Sequence, residues 1–352
     1  MENSSDSLLS RWKWPLAAGG LLLLAMGWFG YRWLNPAYAP PVQPVPNAYN
    51  ALVGLGGQLS SRTGFYDEVP EQELATIVSA NAQVLDKARE ALRKDSVVAL
   101  EWTADEQWFS NVHLKNIEHV KSLSRALAAE GLLAVKQGDS QLAVHSGLEN
   151  LYLAKAVANG GLGTDWLTGA ATYTAGLTTL RNACEIATSE DCKTVLGKLP
   201  DARNQLELPA TITEREWHFW RRINGPYQTF LTELTFSNNR ADFEKRMEGI
   251  TQAIDARTEL LRLHYAIRAF QLTENRLPKS LDELAGRELK AIPKDSYSGR
   301  DFIYQPGKDR YILYSVGPNG IDDGGFVNDK DGNAGDLVLE PYTPDDDDAL
   351  QD

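Results

Sequence analysis

Residues Trp14 to Tyr31 form an uncharged, mostly apolar run of 18 residues, bounded by Lys13 and Arg32. As a helix the run would extend roughly 27 Å, close to the thickness of a bilayer core. Trp12 and Trp14 stand at one end, and Trp28, Phe29, Tyr31 and Trp33 at the other, in the pattern of aromatic belts at the two interfaces. Arg11, Lys13 and the α-amino group precede the run, while Arg32 alone follows it closely. This charge bias predicts a short cytoplasmic N-terminus (1–13), a transmembrane anchor (14–34) and everything else on the far side. A cleaved signal peptide is the competing reading, because Ala37-Tyr38-Ala39 resembles a small-x-small cleavage site. Pro40 would then occupy the position just after the cut, and the run is long for a signal core, so the expectation is an uncleaved anchor.

Prolines at 36, 40, 41, 44 and 46 fix φ and remove backbone donors. Residues 35–47 are therefore expected to be an extended spacer that holds the following domain off the membrane surface.

From 48 to 275 the dominant period is helical. Pro70 and the acids Glu71 and Glu73 precede apolar residues at Leu74, Ile77, Val78, Leu85, Ala88 and Leu92, the signature of an amphipathic helix with its N-terminus at Pro70. Residues 113–136 and 140–159 form a second and third helix around Gln137-Gly138-Asp139. This pair resembles one tetratricopeptide-type hairpin, with Ala128, Gly131, Ala143 and Ala154 as small packing residues. No second copy follows at a period of about 34 residues, so the chain is not a repeat array. Residues 164–187 predict a central buried helix, in which Asp165, Arg181, Glu185 and several threonines argue against a second span. Thr213-Glu214-Arg215-Glu216 reads as a capping box before Trp217. Trp217, Phe219 and Trp220 alternate with His218, Arg221 and Arg222, favouring aromatic core with snorkelling arginines over a membrane or ligand patch. Residues 241–273 predict a long last helix.

Cys184 and Cys192 flank an expected turn between two helices, with Ser189 as N-cap. In an oxidising compartment they are expected to form a disulfide worth about 2–3 kcal/mol at most, because the ring is short.

Catalytic motifs are not found. The histidines are 113, 119, 145, 218 and 264, and none stands in a zinc-protease spacing; His113 and His119 read as solvated positions on a helix face. Gly54-Leu55-Gly56-Gly57 and Gly160-Gly161-Leu162-Gly163 lack the lysine of a phosphate-binding loop, and no G-x-S-x-G occurs. The expectation is therefore not an enzyme.

The formal charge of −13 is concentrated at one end. Eleven acids and one base lie from Ile321 onward, leaving only −3 on the other 320 residues. A local acidity of this kind points to a cation or a solvated tail, and nucleic acid is a poor partner. Asp301 to Gln305 and Arg310 to Val316 are rich in aromatic and β-branched residues around Pro306-Gly307-Lys308-Asp309, which predicts a hairpin. The glycines and aspartates that follow supply sharp turns and hard oxygen ligands of the kind Ca²⁺ takes, without the spacing of an EF-hand.

The segment from Ala266-Ile267-Arg268-Ala269-Phe270 to Leu277-Pro278, the motif Tyr314-Ser315-Val316-Gly317-Pro318-Asn319-Gly320 and Asp336-Leu337-Val338 resemble, in that order, the C-terminal domain of the type II secretion major pseudopilin. The resemblance implies a small antiparallel sheet packed on a long helix, with one structural Ca²⁺ in the loop after the hairpin. Asp322, Asp323 and Asp336 match its acidic loop, Asp329 and Asp331 lie in an inserted stretch, and the carbonyl of Ser315 is a further ligand by position. It covers the last 85 residues or so: the apolar run near the N-terminus has no glutamate and no pseudopilin leader. The whole chain is similar to bacterial envelope proteins that append such a module to an anchored helical domain.

The expected architecture is thus mainly α, with a transmembrane helix, a multi-helix body (48–275), a small α+β module (276–343) packed on the last helix, and an acidic tail (344–352). The expected protein is held in the bacterial inner membrane with its C-terminal domain in the periplasm, where it carries Ca²⁺ and meets a protein partner. A secretion-system accessory protein that contacts pseudopilins, and an envelope hydrolase whose site is invisible in the sequence, are the two alternatives.

Overall fold

A computed structural model describes residues 38–60, 69–103, 105–203, 206–308, 310–327 and 335–339, together with Leu24, Met26, Gly27, Trp28 and Gly30. The protein is mainly helical with one small antiparallel sheet. The helices are α1 (Ala48–Gly56), α2 (Glu71–Ala91), α3 (Leu114–Gln137), α4 (Ser140–Ala158), α5 (Gly163–Cys184), α6 (Ser189–Arg203) and α7 (Pro209–Glu274). The strands are β1 (Ile303–Pro306), β2 (Tyr311–Ser315) and β3 (Leu337–Val338), in the order β1-β2-β3.

The expected cytoplasmic segment, most of the anchor and the acidic tail lie outside the described residues. The five described anchor residues are helical, with Leu24, Met26 and Trp28 exposed. Among the described residues no helix is long and apolar enough to cross a membrane.

Local chemistry sets most helix ends. Glu71 and Glu73 open α2 and Arg89 closes it, each charge opposing the helix dipole at its end. Gly138, with φ of 75°, ends α3, and Asp139 starts α4 by accepting a hydrogen bond from Leu142 N at 3.0 Å. Thr188, not Ser189, caps α6. Its backbone N–H donates to Asp191 Oδ2 at 2.9 Å while its Oγ1 accepts from Asp191 N at 3.3 Å, so the pair forms the reciprocal cap. The hydroxyl of Ser140 adds a 2.7 Å bond to the same carboxylate oxygen.

The expected capping box at Thr213 does not form. Helix α7 starts earlier, at Pro209, where a missing N–H costs nothing. Thr213 lies inside it and donates to Ala210 O at 3.2 Å and to Glu244. A straight helix would separate positions 31 residues apart by about 46 Å. Helix α7 therefore folds back between Thr213 and Glu244, and Gly225, with φ of 80° and followed by Pro226, breaks its regular path.

From Tyr38 onward the Pro-rich segment has no helix or strand before α1 and lies along the body. Gln43 Nε2 donates to Val98 O at 3.0 Å, Asn47 Nδ2 donates to Val97 O at 2.7 Å, and the Tyr38 ring stacks on His218. The donors that proline lacks are supplied by neighbouring side chains, so docking does not require main-chain pairing.

One apolar core runs from α3 and α4 through α5, α6 and α7 into the C-terminal sheet. Leu151, Tyr173, Leu177, Leu260 and Phe270 share it with Phe302, Leu313 and Leu337. A second cluster sits where α1 and α2 meet α3, around Leu52, Leu85 and Leu123. The C-terminal module therefore packs on α7, as expected, and also shares its core with the body. Tyr265 on α7 donates to Leu180 O at the end of α5 at 2.7 Å, and the buried Arg181 donates through Nε to Leu339 O at 2.8 Å.

Helices α4 and α5 pack through small residues. A Cβ at Gly176 would lie 2.8 Å from Leu151 Cδ2 and 2.9 Å from the backbone oxygen of Gly147. Gly249, on an exposed part of α7, has no atom within 4 Å of its Cβ position. In urea unfolding, Gly176→Ala is expected to cost about 1–3 kcal/mol through overpacking. Gly249→Ala is expected to gain about 0.5–1 kcal/mol by removing chain entropy. Equal effects at the two sites would contradict the close α4–α5 contact.

Candidate metal centre and the buried polar cluster

The hairpin forms close to where the sequence places it, with Ile303 opposite Tyr314 and Pro306 opposite Tyr311. Strand β3 pairs on the other side of β2, Ser315 opposite Leu337. This puts Asp336, just before β3, beside the loop that follows β2. Gly325 N donates to Asp336 Oδ2 at 2.6 Å, and the backbone amide of Asp336 donates to Phe326 O at 2.8 Å. Asp322 Oδ1 accepts from Tyr314 Oη at 2.8 Å and from Gly324 N at 3.0 Å, and Asp323 Oδ2 accepts from Asn319 Nδ2 at 2.8 Å.

Asp336 is 1% exposed, and its Oδ1 is buried with no hydrogen-bond partner. Burial raises its pKa above the ordinary carboxylate value, and the charges of Asp322 and Asp323 push it further up against the amides of Gly325 and Asp323. A buried carboxylate oxygen without a donor, facing two more carboxylates, is unfavourable alone and is what a hard dication would satisfy. Asp322 and Asp323 stand near enough for their charges to act on Asp336. Asp329 and Asp331 lie outside the described residues. Among the described residues no ready-made group of three metal-ligating side chains is found.

Ser315 is fully buried, and its hydroxyl has a structural role. It donates to Asp295 Oδ1 at 2.7 Å and accepts from Gly317 N at 3.1 Å. Asp295 is a buried staple: it also accepts from Tyr297 N at 3.0 Å and Ser298 Oγ at 3.0 Å. No spacing rule marks it, because Ser315, its partner on β2, is 20 residues away.

The body contains a polar cluster that sequence reasoning missed. His113 is not on a solvated face. It is wholly buried in a π-helical turn, Phe109–His113, that runs into α3, and its Nε2 lies 3.0 Å from Asp165 Oδ2. The Trp108 and Phe109 rings pack on the imidazole at 5.4 Å. Asp165 also caps α5 by accepting from Leu162 N at 2.8 Å. Glu216 accepts from Gly163 N at 3.2 Å and from Trp220 Nε1 at 3.3 Å, and burial raises its pKa, with the Asp165 charge adding. Burial raises the Tyr49 hydroxyl too, again with help from Asp165. Short π-turns inside helices often mark functional sites, and an extra residue between Trp108 and α3 is the one signal that a 3.6-residue period would break at His113.

A second polar group lies where α2, α3 and α4 meet. Arg89 bonds Asp86 at 2.9 Å, Glu149 at 2.9 Å and Glu130. Burial pushes Glu149 up to about 7 against the pull of Arg89. His145 Nε2 lies 3.4 Å from Glu149 Oε1 and lines an open cleft of about 800 Å³ with Ser140, Thr188, Asp191 and Lys198.

Cys184 ends α5 and Cys192 lies in the first turn of α6. Both are buried and carry free thiols in the structure. Burial raises both thiols, Cys192 to about 12, while Arg268 acts in the opposite direction on each.

Comparison with protein-family models, with curated proteins and with solved structures gives no match.

Proposed function

We propose that the chain is a membrane-anchored envelope protein, held in the bacterial inner membrane by residues 14–34 with its body on the periplasmic side. Its C-terminal module takes one structural Ca²⁺, and its helical body serves as a surface for a protein partner rather than as an enzyme. The observation that carries the reading is the orphaned, buried Oδ1 of Asp336 beside Asp322 and Asp323. Because the ion binds the native loop and not the unfolded chain, it stabilises by mass action, by about 2.7 kcal/mol at a hundredfold excess over its dissociation constant.

The resemblance of the C-terminal module to a pseudopilin supports a secretion-system accessory protein as the second reading, one that contacts pseudopilins through this module. The polar cleft beside His145 supports the third, an envelope hydrolase.

The detergent-solubilised full chain is expected to unfold at a higher temperature with Ca²⁺ than with chelator. Asp336→Ala should remove most of that gain, and deletion of Asp345 to Asp352 should leave it. Equal midpoints with calcium and chelator in a folded wild-type chain would contradict the metal centre.

Cys184 and Cys192 flank the turn between α5 and α6 and are free in the structure; in an oxidising envelope they are expected to pair. Mass spectrometry of unreduced protein from its native membrane should find one linked peptide. Quantitative alkylation of both thiols after unfolding without reductant would contradict the pairing.

A further inference from the structure

We propose that the aromatic and basic face formed by Trp102, Trp217, Arg221 and Arg222 rests on the phospholipid headgroup layer. The inference rests on the reading of residues 14–34 as an anchor. Its independent support is where the chain is held once it has left that anchor. Tyr38 stacks on His218, with ring centroids 4.3 Å apart and an angle of 18°, and its ring lies 5.3 Å from that of Trp102. The bonds of Gln43 to Val98 and of Asn47 to Val97 keep the next ten residues on the body. Leu34 and Tyr38 are four peptide steps apart, so they cannot be separated by more than about 14 Å whatever path the chain takes. The face around Tyr38 is therefore tethered within that distance of the bilayer surface, and the Pro-rich segment cannot hold the body away from it.

The composition of the face suits that position. Arg222 is the exposed cation of the face and lies 5.9 Å from the ring centre of Trp102, while Trp102, Trp217 and Arg221 are half-buried, the Arg221 guanidinium 4.7 Å from the ring centre of Trp217. Tryptophan with a stacked arginine pairs an apolar ring with a cation that suits phosphate, the chemistry of the membrane interface. Carboxylates near the face include Glu101, whose Oε1 accepts from the backbone N and hydroxyl of Thr103, Glu214, Glu216, which accepts from Trp220 Nε1, and Glu207, which pairs with Arg215. The acidic loop lies far away. The face adjoins the N-terminal end of α5, through Glu216 and Gly163, whereas Arg181 joins the C-terminal module near the other end. Gly163 and Arg181 stand 18 residues apart on α5, about 27 Å along its axis.

The test uses the full chain reconstituted into vesicles of phosphatidylethanolamine and phosphatidylglycerol that contain a headgroup nitroxide lipid. A fluorophore is placed at Thr103→Cys, and in a separate protein at Lys308→Cys in the hairpin of the C-terminal sheet. Quenching at position 103 should exceed that at 308 at least about twofold, and Arg222→Glu should reduce the excess. Quenching in these vesicles needs no second protein, so it also decides against a protein occupant. Equal, weak quenching at both positions, in protein that stays in the bilayer through carbonate extraction, would overturn the inference and leave the anchor standing. Release of the protein by carbonate would overturn the anchor reading and this inference with it.

Discussion

The close approach of α4 and α5 constrains everything else in this molecule. Gly147, Gly169 and Gly176 bring the two backbones near enough that a methyl group at Gly176 would crowd a backbone oxygen and a leucine side chain. The same small residues give α5 little apolar surface of its own, so its larger side chains, Trp166, Tyr173, Leu177 and Leu180, must be covered by α6, α7 and the sheet. Most of α5 is buried, apart from a stripe at Thr164, Leu167, Ala171 and Thr178, and its buried polar residues need partners supplied by other elements. Asp165 near one end finds His113 and the backbone of Leu162. Arg181 near the other end finds Leu339 O and Glu185, the latter at 2.5 Å.

Those two solutions divide the protein into two ends. At the N-terminal end of α5, the glycine-rich break 160–163 is held by side chains from α7 and the residues before it. Arg215 Nη1 donates to Gly161 O at 2.6 Å, Gly160 N donates to Glu207 at 2.7 Å, and Glu216 takes the Gly163 amide. At the C-terminal end, Arg181 ties the body to the chain three residues beyond Asp336. Breaking a buried, bonded guanidinium contact costs several kcal/mol, so this tie holds the segment that carries the orphaned carboxylate. The candidate metal centre is thus fixed from both sides, by pairing with β2 and by Arg181.

Much of this was legible in the sequence, because local chemistry decided it. Pro70 with Glu71 and Glu73 marked α2, Gly138-Asp139 marked the α3–α4 turn, and Pro306-Gly307 marked the hairpin within two residues of its strands. Asp322, Asp323 and Asp336 were singled out by the pseudopilin resemblance, and in the structure the first two act through their charges on the third. What was hidden depends on contacts between distant segments. Thr213 and Glu216 have the spacing of a capping box, but a helix already begun at Pro209 leaves no free amides for them to cap. His113 stands between the exposed Val112 and Leu114, and the π-turn that ends at it carries its ring inward to Asp165. The docking of Tyr38 and Gln43 cannot be read from proline content, which sets the conformation of a segment but not what it touches.

The proposed metal centre requires one cation to complete the loop between β2 and β3. Calorimetric titration of Ca²⁺ into chelator-treated, folded full chain measures this directly. The expected result is one ion per chain at saturating, millimolar calcium, with binding lost in Asp336→Ala and kept when Asp345 to Asp352 are removed. No saturable binding in folded wild-type protein, or equal binding by the Asp336→Ala chain, would contradict it.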